Sequence, residues 1–144
     1  MHLSELDLIN FRSFPNETVY FERELTVLVG ENNGGKSNII DAIRLLTTPL
    51  DGRRELYCEH TDIRFGSSSA SFELKASFED LSPPQQGRML SGTMDDSLQT
   101  ACFGITYDAT VRKQYVRPTL WGGRFKAAPE AGSDLPRDFS STVD

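Results

Sequence analysis

Residues 30 to 37 read Gly30, Glu31, Asn32, Asn33, Gly34, Gly35, Lys36, Ser37, the spacing G-x-x-x-x-G-K-[ST] of a phosphate-cradling loop. An apolar run, Leu25, Thr26, Val27, Leu28 and Val29, leads into it. An amphipathic stretch from Ser37 to Leu46 leads out. Strand, Gly-rich turn and helix are the context in which the motif works. The alternative, a Gly-rich strand-to-helix turn that happens to contain Lys-Ser, leaves three glycines and a lysine unexplained on a costly, flexible loop.

The residue types point to the chemistry. Gly30, Gly34 and Gly35 let the chain turn tightly and bring successive backbone N–H groups up to phosphate oxygens. The helix beginning near Lys36 turns its positive end toward the same anion. Lys36 is expected between the β- and γ-phosphates, and Ser37 is expected to offer its hydroxyl to Mg²⁺. Asn32, Asn33 and Asn38 complete the candidate ATP-binding set within and just after the loop. No catalytic residue is assigned.

The chain has 144 residues, enough for one domain with a moderate core. Its 21 acidic and 15 basic residues give a formal charge of −6, which argues against a basic nucleic-acid face on this segment. DNA contact is left to partners. Cys58 and Cys102 stand far apart with no metal-ligand spacing, and His2 and His60 read as surface residues. No run approaches the length of a membrane span. The chain reads as soluble and cytoplasmic.

Along the chain, residues 3–9 read as a strand that residues 10–15 break, and residues 18–21 as a second short strand. The continuous apolar character of residues 25–29 predicts a strand buried on both faces. The helix carries Ile39, Ile40, Ala42, Ile43 and Leu46 on one face and stops before Pro49. Residues 51–69 read as turns with a short extended piece at 62–65. Alternation returns at Phe72, Leu74, Ala76 and Phe78. A short helix follows Ser82 and Pro83, and strands are expected near 102–111 and 114–121. The fold class is thus α/β, with a mixed sheet around the phosphate-loop helix (residues 1–50) and an antiparallel β subdomain over 70–121. Residues 126–144 lose apolar periodicity and are expected to be a disordered tail.

Leu8 to Phe14, with its Asn10, Phe11, Arg12, Ser13 core, followed by the stretch from Leu25 to Arg44, resembles the N-terminal lobe of ABC-type ATPase heads of the SMC and RecF-like group. Residues 59–66 and 78–82 are similar to OLD-type (overcoming lysogenization defect) ATP-dependent nucleases. The resemblance implies ATP and Mg²⁺ as cofactors and a nucleotide state that gates DNA processing in repair or phage defence. It also places Arg12 near the nucleotide and Asn33 toward a partner head. Residues 62–65 fall where the family has a glutamine loop, yet no glutamine stands there; Gln85 and Gln86 read as exposed helix residues.

Hydrolysis in such heads needs an apolar run ending in Asp-Glu. Neither Asp95-Asp96 nor Glu79-Asp80 follows such a run, and Leu90 to Thr93 reads as a loop rather than a signature element. The chain, as residues 1–125 of a partial ATPase domain, therefore reads as a first lobe. Little hydrolysis is expected from it alone, and the expected partner is a second copy or a hetero-complex subunit supplying the rest. The competing reading is a non-catalytic assembly or regulatory module that keeps a phosphate loop, with Tyr115, Trp121 and Phe125 as contact residues.

Overall fold

A computed structural model describes residues 1–32, 34–47, 57–110 and 118–123. Five strands form one sheet in the order β2-β1-β3-β4-β5. They are β1 (His2–Phe11), β2 (Phe14–Tyr20), β3 (Ser71–Glu79), β4 (Ala101–Asp108) and β5 (Thr119–Gly122). Every described pairing is antiparallel. The strands of the 70–121 stretch therefore continue into β2 and β1 without a break in the sheet. One long helix, α1 (Lys36–Thr47), and a short one, α2 (Pro83–Arg88), join two single 3-10 turns at His60–Asp62 and Leu90–Gly92.

Period-two alternation makes the sheet two-faced, as an antiparallel sheet with one packed side requires. Leu6 and Leu8 of β1, Phe72, Leu74 and Ala76 of β3, and Ile105 and Tyr107 of β4 are buried on one side. Ile39, Ala42 and Leu45 of α1 close over them, with Ile43 and Leu46 at the margin. Phe72 stacks on Tyr107 at 5.2 Å and meets Phe11 edge-on at 5.1 Å, so three aromatic rings fill the core beside the start of α1. Ile40, expected on the packed face, is 44% exposed, and Leu45 takes its place inward. The helix is rotated so that the 39, 42, 45 row meets the sheet.

The opposite side is polar. Asp7 lies directly across from both Thr18 and Lys75, and accepts hydrogen bonds from them at 2.6 and 2.8 Å. Further along, the Trp121 indole lies flat on Gly104, where any side chain would collide with it, and its Nε1 donates to Thr106 Oγ1 at 3.2 Å.

Two expectations are corrected. Residues 10–15 do not break the first strand before a gap. β1 runs to Phe11, turns at Arg12 and Ser13, and returns at once as β2 with Pro15 inside it. A proline is tolerated there because β2 is an edge strand. Residues 25–29 are not a buried strand. Leu25, Val27 and Val29 are 74%, 67% and 85% exposed, while Leu28 packs against the core margin. Among the described residues nothing offers this run a backbone ladder, and without neighbours on its edges an apolar segment cannot be a central strand.

Residues 62–65 contribute one bridge, Ile63 to Phe11. Ser82 stands at the N-cap of α2, and the Gln85 side chain reaches back to it, Oε1 accepting from the Ser82 N–H and hydroxyl, both at 2.9 Å. Leu90–Gly92 is a 3-10 turn rather than open loop. His60 is exposed, but the His2 side chain is only 18% exposed, with Nδ1 3.4 Å from Asp80. Asn33, Tyr115, Phe125 and residues 126–144 lie outside the described residues. Among those described, no helix is long and apolar enough to cross a membrane.

Candidate functional site: the phosphate loop

The loop begins where the apolar run ends and closes on α1. Gly34 N–H donates to Glu31 O at 3.0 Å, forming the tight turn. Gly35 lies at φ 87, and a Cβ there would stand 2.7 Å from Phe14 Cζ and 3.2 Å from Ser13 Oγ. Only glycine satisfies both the backbone and the contact. The β1–β2 turn thus serves as a shelf on which the end of the loop rests.

The first intrahelical bond of α1 runs from Ile39 N–H to Gly35 O at 3.1 Å. The amides of Lys36, Ser37 and Asn38 are therefore left over by the helix, as in any first turn. No acidic residue occupies that turn, so nothing within α1 neutralises its positive end. Lys36 folds back over the loop, its ammonium donating to Gly30 O and Glu31 O, both at 2.6 Å. Ser37 is exposed beside it, and so is Asn32. Unspent amides, a lysine ammonium at the loop mouth and a hydroxyl at the helix start form a donor set suited to a polyphosphate and its cation. A hard divalent ion takes oxygen ligands, of which the exposed Ser37 hydroxyl could be one.

Arg12 is not open to solvent in the way a free phosphate ligand would be. Its Nε donates to Asp62 Oδ1 at 2.8 Å, and its Nη1 to Asp41 Oδ2 at 2.6 Å and Asn38 Oδ1 at 3.1 Å. Burial works to lower its pKa, but the hydrogen bonds and charges of Asp41 and Asp62 outweigh burial and raise it. Asn38 Nδ2 donates in turn to Ser13 Oγ at 3.1 Å. Asp41 and Asp62 were not singled out from sequence. Asn38 and Asp41, three apart on the helix face that meets Arg12, were the available signal for one of them. Nothing local marked Asp62.

A cleft of about 410 Å³ is lined by Leu46, Ser91, Phe103, Leu120 and Trp121. It lies at the opposite end of α1 from Lys36 and has no charged side chain, so it is not part of the phosphate chemistry.

A model of the family described as AAA domain matches residues 5–116. The chain belongs to that family. Relatives of this AAA domain include the DNA replication and repair protein RecF of Acaryochloris marina, 46% identical over 48 residues, covering 33% of this chain and 13% of RecF. The DNA repair protein RecN of Bacillus subtilis is 45% identical over 71 residues, covering 49% of this chain and 11% of RecN. The chromosome partition protein Smc of Chlorobaculum tepidum is 44% identical over 45 residues, covering 31% of this chain and 4% of Smc. The matched stretches thus span a small part of these relatives. A chain solved in work on the structural biochemistry of ATP-driven dimerization and DNA stimulated activation of SMC ATPases superposes with a TM-score of 0.59. It is 21% identical, with 88% of this chain and 73% of that chain covered. The AAA domain therefore resembles the N-terminal lobe of SMC, RecF and RecN ABC ATPases, with a P-loop NTPase fold of the ABC type.

Proposed function

We propose that this AAA domain binds ATP with Mg²⁺ through residues 30–37, as one lobe of an ABC-type ATPase acting in DNA repair or chromosome maintenance. The observation that carries the reading is the loop at the start of α1, with unspent amides, no first-turn carboxylate and the Lys36 ammonium at its mouth. Gly30, Gly34 and Gly35 shape the loop, with Asn32 and Asn33 between them. Lys36 neutralises the β- and γ-phosphates, and Ser37 holds the metal. When bound there, Mg²⁺ would supply Lewis-acid stabilisation of phosphate charge. Asn38 keeps the first turn in register through Ser13.

Calorimetric titration with ATP tests this reading. The wild type is expected to bind, and Lys36→Ala to bind at least about tenfold more weakly, since it removes a charge-assisted contact. Equal affinity of the two proteins would sink the assignment.

The finer reading is that nucleotide state gates a DNA-processing activity carried by other regions or partners, an OLD-type nuclease among them. The resemblance of residues 59–66 and 78–82 supports it. Leu25, Val27 and Val29, exposed directly before the loop, favour completion by a partner surface, either a second copy or a hetero-complex subunit. The same exposed run also supports the second reading, an assembly module without catalysis.

A further inference from the structure

The sheet has two edges, and they are finished differently. β2 carries Pro15, which has no N–H, and the exposed Glu17, devices by which an edge strand refuses a further strand. β5, made of Thr119, Leu120, Trp121 and Gly122, carries neither charge nor proline. Gly123 N–H donates to Cys102 O at 3.0 Å, so the alternation of an antiparallel pair turns the N–H and C=O of Leu120 and Gly122 away from β4. Among the described residues no group takes them up. Beside this edge the cover that α1 gives the sheet runs out. Ile105 of β4 is fully buried, whereas Leu120, its cross-strand partner, is 52% exposed. The cleft between Leu46, Ser91 and Phe103 opens there, with Gly122 in its wall. A Cβ on Gly122 would stand 3.1 Å from Phe103 Cδ1 and 3.2 Å from Ser91 O.

A second copy of the chain satisfies both the edge and the cleft. Across a two-fold axis, two β5 strands pair antiparallel with Leu120 opposite the partner's Gly122, each such pair exchanging two hydrogen bonds. Both residues lie on the helix side of the sheet, so each Leu120 enters the other copy's cleft over a residue with no side chain. Trp121 meets its own counterpart on the other face, at the closely spaced position without hydrogen bonds, its indole already flat on Gly104. Pro118, just before β5, has no N–H to lengthen the ladder. We propose that β5 is a homodimer edge, joining two copies through Leu120 and Gly122 into one continuous antiparallel sheet. The β2 edge, with Pro15 and Glu17, stops further growth, so the assembly closes at two. Residues 30–37, at the other end of α1, stay open, and the inference does not depend on their binding nucleotide. A four-residue edge and one cleft per copy make a small interface, expected to dissociate at roughly 10–100 µM.

The test is sedimentation of the 144-residue protein over a concentration series spanning that range, with and without ATP and Mg²⁺, and hydrogen exchange at both ends of the series. Monomers that pair as concentration rises, equally with and without nucleotide, are expected. On pairing, the amides of Leu120 and Gly122 are expected to gain protection, while that of Trp121, already turned to Gly104 of β4, changes less. Leu120→Lys alters a half-exposed side chain and places an ammonium in the apolar cleft. It is expected to weaken pairing at least about tenfold, with the melting temperature of the dilute protein unchanged. A protein that stays monomeric throughout the series overturns the proposal. So does pairing that Leu120→Lys leaves intact, pairing that appears only with ATP, or protection that falls elsewhere than on Leu120 and Gly122. Should Leu120→Lys fail to fold, exchange in the wild type decides alone, and equal protection of Leu120 and Gly122 at both ends of the series overturns the proposal.

Discussion

Gly35 joins two demands at one position, a left-handed backbone and a Phe14 ring 2.7 Å from where a Cβ would be. Gly35→Ala is expected to cost about 1–3 kcal/mol from backbone strain alone, with the displacement of Phe14 added. Urea unfolding measures the loss, and Gly35→Ala/Phe14→Leu should recover the steric part but not the backbone part. Recovery of the full stability would mean that φ 87 carries no strain. Lys36 belongs to the same scale. Its type and place were legible from spacing, and its contact with the Gly30 and Glu31 carbonyls is what that spacing permits. Arg12 was pointed to only by the family resemblance of its Asn-Phe-Arg-Ser surroundings. Its partners were not, because Asp62 is fifty positions away and hydrogen-bonded pairs at that distance leave no periodic trace.

At the scale of elements, the sheet holds one polar linkage across three strands, Thr18 to Asp7 to Lys75. Burial acts to raise the Asp7 pKa, but hydrogen bonds from Lys75 and Thr18 and the Lys75 charge bring it below the usual carboxylate value. The hydrogen bond to Asp7 raises the Lys75 pKa against burial. A lowered acid contributes stability that is present above its unfolded value, about 3.9, and is lost as pH falls through the folded one. A raised base contributes below about 10.4 and loses its contribution as pH rises further. Asp7→Asn should therefore destabilise by about 0.5–1 kcal/mol near neutrality, with a difference from wild type that narrows toward about pH 3. Urea midpoints across the acid range check this, and a pH-independent difference would refute it. The strands themselves were readable where alternation was strong, at 72, 74 and 76, since each apolar residue had a face to occupy. The helix was readable in extent but not in rotation, because Ile40 and Leu45 are equally apolar and only the sheet beneath chooses between them.

For the whole molecule, the unresolved demand is the apolar run before the loop. Leu25, Val27 and Val29 present alternate apolar side chains outward on a segment that has no described strand beside it. Light scattering after size exclusion, with and without ATP and Mg²⁺, tests the partner readings. ATP-dependent dimers support an ATPase head, and self-association independent of nucleotide supports an assembly module. A monomer under all conditions excludes the second copy as partner and leaves the hetero-complex.

The sequence by itself determined the phosphate loop, the helix that follows it and the alternating strands, because turn chemistry and apolar periodicity act over a few neighbouring residues. The tertiary structure alone decided three things: that Arg12 is spent on Asp41 and Asp62, that Leu45 rather than Ile40 of α1 turns inward, and that residues 25–29 stand outside the sheet. Each depends on what lies across space. An arginine takes the carboxylates it can reach, a helix turns its best-fitting row to the sheet, and an apolar run becomes a strand only when a neighbour satisfies its backbone.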